Sequence, residues 1–501
     1  ENDLTDLFNN NFLMGEMSFS QRESLLRLLF KKDQKELLTN WRPISLLNSD
    51  YKLLATVMAT RLRRTLPEVI NEDQTCGIPG RTIFDSVIQL RDLTHEVTSK
   101  NTNLILISLD QEKTFDRVDR QFLFKTLEHL NYGPNFITWL QTLYAGAHCR
   151  IINNGWMSEP IHLESGFRQG CPLSPLLYTI VIETLANAIR ANPRIVGIPV
   201  PGTRKQSKII AYADDETLTL KDDLSVIAAF EQIKTFEKAS GSKLNLKKTE
   251  GIYVGLQAGR NHGPIPIKWK TESIRILGTN IGNNTSQDWE KPTKRVEDTL
   301  KGWNERSLTV KGKAVILRTY AIATIVYLAS MFPIPESYIT RIHSASFKFL
   351  WSNKNELVSR ETCHLPLSQG RLGIPDLHIT RKMGIIKWLQ PIINRTKTAV
   401  WLAYGRYWTG QTLGCIRNDW QWLRSNLTPH GDPEKAPTWY TELIKFAIEH
   451  KGTLASIDVN TLSTRILRKM LLENRLDRPS AHAQLGGLLE TLSSSFGQPR
   501  S

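Results

Sequence analysis

The 501-residue sequence has little cysteine: five residues, at 76, 149, 171, 363 and 415, with no C-x-x-C pair and no even framework. That excludes a disulfide-stapled scaffold and a zinc knuckle. Cys363 beside His364 has the wrong spacing for paired metal ligands, so both read as packing residues. Long apolar runs are lacking as well. The nearest, residues 314–332, is interrupted by Arg318, Thr319 and Thr324 and reads as a buried core helix rather than a membrane span. No signal-peptide pattern is present. The chain starts at Glu1, without methionine, in a helix-like pattern, which reads as a fragment whose natural N-terminus lies upstream. Acidic residues are in deficit: 49 Asp+Glu stand against 64 Lys+Arg, a formal net charge of +15. Such an excess favours a polyanionic partner, nucleic acid first and an acidic membrane surface second. Charge alone is equally compatible with a merely soluble basic protein.

What is present is ordinary in bulk and patterned in detail. Hydrophobic residues make up 40% and charged residues 23%, as in a globular protein long enough for more than one domain. Residues 51–66 carry Leu53, Leu54, Val57, Met58 and Leu62 on one helical face. Residues 104–109 form a nearly continuous apolar run, which suits a buried strand delivering Asp110 at its end. Asp119 is an N-cap for a helix that stops at Gly133-Pro134, and a second helix continues through Ile137, Leu140 and Leu143 to Gly146. Asn153-Asn154-Gly155 reads as a hairpin turn, and Ser174-Pro175 as a helix start with the hydroxyl at the N-cap. Residues 209–220 are two β-like runs meeting at Asp214-Asp215, a hairpin with carboxylates at its tip. Asp222 and Asp223 open a further amphipathic helix that ends at Gly241. From about residue 285 the pattern is predominantly helical and tryptophan-rich, and residues 479–501 have the Ser, Gly and Pro content of a disordered tail.

Attack of a hydroxyl on a phosphate, with pyrophosphate leaving, is served by two Mg²⁺ ions that stabilise the attacking and the leaving oxygens. Mg²⁺ is a hard ion that takes carboxylate and phosphate oxygens. Carboxylates at strand ends and hairpin tips are held rigidly yet open to a cleft, and Asp110, Asp214 and Asp215 have that placement. Neighbours in a hairpin point apart, which makes Asp215 the third-ranked ligand. Taken alone, an Asp-Asp turn is more simply a solvated hairpin; the surrounding motifs change the balance.

Those motifs are Ser108-Leu-Asp-Gln-Glu-Lys-Thr-Phe-Asp-Arg-Val-Asp119, Gly166-Phe-Arg-Gln-Gly-Cys-Pro-Leu-Ser-Pro175 and Ala211-Tyr-Ala-Asp-Asp215. Gly241-Ser-Lys-Leu-Asn-Leu-Lys-Lys-Thr-Glu250 and Ile276-Leu-Gly-Thr279 follow. Upstream stand Phe30-Lys-Lys32, Asn40-Trp-Arg-Pro-Ile-Ser-Leu-Leu47 and Gln74-Thr-Cys-Gly-Ile-Pro-Gly-Arg-Thr82; downstream stand Trp303, Leu308-Thr-Val-Lys-Gly-Lys313 and Gly370-Arg-Leu-Gly-Ile-Pro375. In this order the segments closely resemble the reverse transcriptase of non-LTR (LINE-type) retrotransposons, over most of the chain.

The resemblance implies an α+β, right-hand polymerase fold: an N-terminal extension and fingers over 1–100, a palm over 101–282, a helical thumb over 283–390 and a helical region of unknown role over 391–478. The reverse transcriptase domain itself would run from about 25 to 282. It implies Asp110, Asp214 and Asp215 as ligands of two Mg²⁺ ions, with Mn²⁺ as a substitute, and Phe115 as a steric gate under the sugar. Gln169 and Gly170 would line the nucleotide pocket. Arg42, Lys32 and Arg81 would meet the triphosphate or the template, Lys248 the leaving pyrophosphate, and Leu277-Gly278 would form a primer grip. The implied partners are an RNA template, a DNA primer or target DNA, and dNTPs, with no membrane. An endonuclease domain is expected upstream, since none precedes the polymerase motifs here and no Cys/His knuckle follows the thumb-like region.

Two positions depart from the family pattern. Thr114 replaces the small alanine usual before the gate, and Asp33 replaces the glycine usual after the Lys-Lys pair. Two other readings stay open: a group II intron maturase or telomerase-like relative, and an inactive remnant that binds RNA through its basic surface.

Overall fold

Local signals account for many of the element boundaries in the computed structural model. Asp222 accepts a hydrogen bond from the Ser225 amide at 2.8 Å and Gly241 adopts φ +73°, so the helix Asp223–Ser240 is capped at both ends. Asp119 likewise caps the helix Arg120–His129, accepting from the Phe122 amide at 2.7 Å. That helix ends before the expected Gly133. Asn131 turns left-handed at φ +59° and the Tyr132 amide reaches back to the Leu127 carbonyl, a closing motif that asparagine supports. The helix Ser174–Ala191 also departs from expectation, because Leu173 is its N-cap. The Ser174 hydroxyl donates instead to the Arg168 carbonyl at 2.9 Å, tying the helix to the preceding loop.

The structure describes residues 2–31, 34–365, 367, 370–393, 399–413, 436–450 and 454, and the chain divides into two units, Glu1–Asn284 and Thr285–Ser501. The strands of the first unit, in chain order, are β1 (Glu23–Phe30), β2 (Trp41–Leu47), β3 (Asn103–Asp110), β4 (His148–Asn153), β5 (Trp156–Met157), β6 (Ile161–His162), β7 (Ile198–Pro199), β8 (Gln206–Ser207), β9 (Ile209–Tyr212), β10 (Asp215–Leu220), β11 (Glu250–Gly255), β12 (Lys268–Lys270), β13 (Ser273–Ile276) and β14 (Thr279–Gly282).

One five-stranded sheet runs in the order β12-β11-β3-β10-β9. β3 is its centre, antiparallel to both β10 and β11. A strand covered on both faces needs apolar residues at consecutive positions, and Leu104, Ile105, Leu106 and Ile107 are all buried. Ile105, Ile107 and Leu109 join Leu218 and Leu220 of β10 in one apolar cluster with the helices Ser174–Ala191 and Asp223–Ser240. The alternation of strand side chains puts Asp110 and Asp215 on the opposite face. A second sheet has the order β2-β1-β4-β5, with β6 on β4. Its β1–β2 pair is an antiparallel hairpin, while β1 and β4 run parallel, Glu23 opposite His148. β7–β8 and β13–β14 are separate two-stranded ribbons.

The second unit is helical among its described residues, in accord with its pattern. Arg341 of the helix Glu336–Leu350 holds Glu297 and Glu290 of the helix Glu290–Asn304, each at 2.7 Å. The stretch 314–332 is not the single helix its composition suggested. A π-helical turn, Leu317–Ala321, separates the helices Val310–Ile316 and Ala323–Ala329, though Leu317, Ala321, Ile325 and Leu328 are buried as a core segment requires. No single helix among the described residues is long and apolar enough to cross a membrane. The expected tail at 479–501 and much of 391–478 lie outside the described residues.

Candidate active site

Asp110 closes β3 and Asp215 opens β10, and the two stand directly across from each other as the last pair of the ladder. Opposite residues on antiparallel strands share a face. Asp214 sits beside them in the turn joining β9 to β10, where Ala213 takes φ +55°. It is therefore Asp215, ranked third from sequence, that faces Asp110 most directly. The alternation argument holds, but the turn takes Asp214 out of it. Asp110 is half-buried, and Asp214 and Asp215 are exposed.

Three carboxylates at one strand end repel. Partial desolvation, then Asp214 and Asp110, hold the Asp215 carboxyl above its ordinary range. Among the described residues no three His, Cys, Asp or Glu side chains are gathered closely enough to hold an ion as they stand. The donor set is nevertheless the hard, all-oxygen kind that suits Mg²⁺, and a divalent cation is what draws mutually repelling carboxylates inward. The base of the site is well tied. The Asp110 amide donates to Thr249 Oγ1 at 3.3 Å, and the Asn245 amide donates to the Asp110 carbonyl at 2.7 Å. Lys248, exposed on the turn just before Thr249, is thereby brought to the end of β3.

Phe115 lies in a one-turn helix, Thr114–Arg117, entered through Lys113 at φ +49°. Its ring is half-buried, 5.4 Å from the Tyr178 ring. The loop carrying Gln169 is fastened to this turn by its backbone. The Phe167 amide donates to the Phe115 carbonyl at 2.6 Å and the Gly166 amide to Val118 at 2.8 Å. Arg120 reaches the Gly166 and Ser165 carbonyls, each at 3.2 Å. Gly166, at φ +73°, and Gly170, at φ +91°, leave no room for a Cβ. At Gly170 that atom would lie 2.8 Å from the Ser45 carbonyl oxygen, so glycine is what lets the loop touch β2. Gln169 Nε2 donates to Asp116 Oδ1 at 3.1 Å. Asp116, Gln169, Ser45, Pro43, Phe167 and Arg120 help line a cavity of about 410 Å³.

Arg168, in the same loop, is one of the largest fully buried side chains. Its guanidinium lies 4.5 Å over the Tyr51 ring and donates to the carbonyls of Gln21, at 3.2 Å, and Arg22, at 2.8 Å. It pins the loop to the chain that enters β1. Sequence reasoning noted the Arg168-Gln169-Gly170 run without seeing this, because the partners are backbone atoms far away in the chain.

The remaining candidates divide. Arg42 is exposed on β2, and Lys32 and its neighbour Asp33 lie outside the described residues. Leu277, φ +47°, and Gly278, φ +80°, form the tight left-handed turn of the β13–β14 hairpin. The Arg81 guanidinium donates to the backbone carbonyls of Ile70, Asn71 and Gln74 and so holds that segment.

One buried acid went unnoticed in the sequence. Glu216 follows Asp215, points to the core face and is 0% exposed. Burial, opposed by a hydrogen bond from Gln111 and reinforced by Asp214 and Asp215, pushes its carboxyl from 4.5 to about 8. The unfolded chain releases this proton near pH 4.5 and the folded chain keeps it to about pH 8, so stability falls as pH rises through that window. Glu216→Gln removes the titration. Its Tm is expected to exceed the wild type's by a margin that widens from about pH 5 to about pH 8, by roughly 2–4 °C for each kcal/mol recovered. A margin level with pH would contradict the burial cost.

Comparison with known proteins bears on this geometry. Residues 30–281, half of the chain, match the family described as reverse transcriptase (RNA-dependent DNA polymerase). The chain is 34% identical over 389 residues to the transposon TX1 uncharacterized 149 kDa protein of Xenopus laevis, covering 75% of this chain and 30% of that protein. It is 25% identical over 378 residues to the Pol polyprotein of the type-2 retrotransposable element R2DM of Drosophila melanogaster, covering 70% and 34%. The chain thus spans about a third of these relatives' length. Among solved structures, apo telomerase from Candida tropicalis aligns at TM-score 0.43 and 13% identity over 80% of this chain and 73% of that one, a likeness too low to carry an argument. The family match, the transposon relatives and the motif order agree: the chain belongs to the reverse transcriptase family, in its LINE-type branch.

Proposed function

We propose that this chain is the RNA-directed DNA polymerase core of a LINE-type retrotransposon, extending a primer 3′-hydroxyl with dNTPs on an RNA template. The observation that carries the proposal is the strand end where Asp110 and Asp215 face each other beside Asp214. In this reading the first unit comprises fingers over 1–100 and palm over 101–282, and the thumb spans 283–390. An endonuclease would belong to the longer protein.

Two divalent ions, Mg²⁺ or Mn²⁺, would be held by Asp110, Asp214 and Asp215 and would stabilise the attacking and leaving oxygens. The chain's own residues do the rest. Arg42, with Lys32, offers positive charge to the triphosphate, and Lys248 offers it to the departing pyrophosphate. Gln169 and Gly170 border the nucleotide, the glycine allowing close backbone approach. Leu277 and Gly278 press backbone against the primer end, which shortens the search of the hydroxyl for its phosphate. Phe115 fills the space a 2′-hydroxyl would need. The excess of basic residues favours the polyanionic template and primer.

The test is extension of an annealed DNA primer on RNA by the purified chain with Mg²⁺ and dNTPs. RNA binding without extension, across Mg²⁺ and Mn²⁺ concentrations, would favour an inactive remnant. Sugar selection gives a sharper measurement. Phe115→Val should raise the ribonucleotide-to-deoxynucleotide ratio of kcat/KM by roughly tenfold or more, equivalent to about 1.4 kcal/mol of lost steric exclusion. Unchanged selectivity would remove Phe115 from the role.

A further inference from the structure

The β3–β10 ladder ends on a pair of carboxylates. Asp110 and Asp215 are the last cross-strand pair, with Asp214 in the turn beside them, and like charges directly opposite one another push strands apart. A side-chain bond reaches back across that end, from Gln111 just beyond the pair to Glu216, which lies within the ladder opposite Leu109. Gln111 Nε2 donates to Glu216 Oε2 at 3.0 Å, so the residue after one paired aspartate bonds the residue after the other.

Gln111 is itself anchored. Its backbone forms an isolated bridge with Leu244, and the next amide, Glu112, donates to the Lys243 carbonyl at 2.7 Å. Glu216 therefore bonds to a fixed point. Its own position is one that chain stability alone would fill otherwise. It lies on the face of β10 that carries Leu218 and Leu220, all three 0% exposed, where an apolar side chain avoids the cost of burying a carboxyl. One of its oxygens, Oε1, has no hydrogen-bond partner, and neither does the buried Tyr178 hydroxyl of the helix covering that face. The bond to Gln111 is what the carboxyl gains there.

We propose that Gln111 and Glu216 form a clamp on the reverse face of the sheet, holding the two strand ends together against the repulsion of Asp110, Asp214 and Asp215 and so setting the affinity of that carboxylate site for a divalent ion. The proposal rests on the reading of those aspartates as metal ligands. Gln111 and Glu216 are positioning residues, acting through the backbone of the strands that carry the ligands. Supporting partners of this kind are worth about 10–100-fold in metal affinity.

The probe is Mn²⁺ alone, its binding to the full chain followed by electron paramagnetic resonance without nucleic acid or nucleotide, with Tm recorded on the same samples. Gln111→Leu should weaken Mn²⁺ binding about tenfold. Gln111→Glu, measured above pH 8 where Glu216 has given up its proton, adds charge without a donor and should stay weak. The exchange Gln111→Glu with Glu216→Gln restores a donor and an acceptor in reversed order and should return affinity to within about twofold of wild type. A residue with a merely structural role would lower Tm without moving the affinity of the folded protein. Wild-type affinity in Gln111→Leu, or an exchange variant no better than Gln111→Glu, overturns the clamp. If Gln111→Leu does not fold, the comparison of the exchange variant with Gln111→Glu decides alone. Failure of the wild-type chain to bind Mn²⁺ would overturn the metal-site reading, and the clamp with it, which separates that failure from failure of the clamp alone.

Discussion

Asp214→Asn is expected to extend no primer while folding as the wild type does. Asp214 is exposed in the β9–β10 turn, so replacing one oxygen by an amide removes no packing. In the proposed site it removes one of three charged ligands, and losses of transition-state charge stabilisation of this kind run to on the order of 10³-fold in rate. The same should hold for Asp110→Asn. At Asp215 the stability effect has a definite sign: its carboxyl is held above the ordinary range by partial desolvation, then by Asp214 and Asp110, so Asp215→Asn should hold or raise Tm as it abolishes extension. Activity lost with stability kept or gained marks a site that function, not folding, has placed there. Primer extension read beside thermal unfolding checks it, and extension within tenfold of wild type by Asp214→Asn would end the metal assignment for that residue.

Gly166→Ala should act through the backbone and harm both stability and selectivity. A Cβ at Gly166 would fall 2.5 Å from the Phe115 carbonyl oxygen, 2.6 Å from that of Asp116 and 2.7 Å from the Asp116 carbonyl carbon. These are main-chain atoms and cannot swing aside. The residue also sits at φ +73°, where an L side chain is strained. Left-handed strain of about 1–2 kcal/mol and overpacking of about 1–3 kcal/mol together predict a loss of roughly 2–5 kcal/mol. Relief would come by parting the Phe167–Phe115 and Gly166–Val118 backbone bonds. Parting them frees Phe115, the proposed gate, from the loop that carries Gln169, so KM for dNTP should rise and discrimination against ribonucleotides should fall in the same variant. Gly302→Ala is the control. Nothing lies within 4 Å of its added Cβ, and it sits in a helix, where alanine is favoured. Equal behaviour of the two variants would show that the loop has room the structure denies it.

The parts of this architecture legible in sequence are those specified by near neighbours in the chain. The apolar run ending at Asp110, the β9–β10 turn, the Asp222 cap and the Gly241 stop each need only a few adjacent residues, and each is where the pattern puts it. The family motifs added Phe115 and Gln169, whose shared neighbourhood no periodicity reveals, and the Leu277-Gly278 turn of a separate hairpin. What stayed hidden depends on distant partners. Glu23-Ser-Leu-Leu-Arg-Leu-Leu-Phe30 has no strand alternation and becomes a strand through β2 and β4. The carbonyls of Ile70, Asn71 and Gln74 that Arg81 holds are not legible either, because a basic residue in a motif does not show which backbone atoms it meets. Glu216 is not legible because a carboxylate after two aspartates resembles more of the same charged turn, and only the ladder register shows it turning inward.

The parallel pairing of β1 with β4 sets an order of events during synthesis. β1 and β2 can close their hairpin as soon as both have left the ribosome, but the other edge of β1 has no partner until His148–Asn153 is made. Through that interval the nascent chain carries an open edge lined by Leu25, Leu26, Leu28 and Leu29, a template for pairing with a neighbouring chain. The same geometry warns against trimming by homology. A piece cut at residue 30, where the family match begins, removes nearly all of Glu23–Phe30 and leaves the β4 edge bare. It also removes the Gln21 and Arg22 carbonyls that hold Arg168 one residue from Gln169. The minimal folding unit of this fold therefore begins upstream of residue 30.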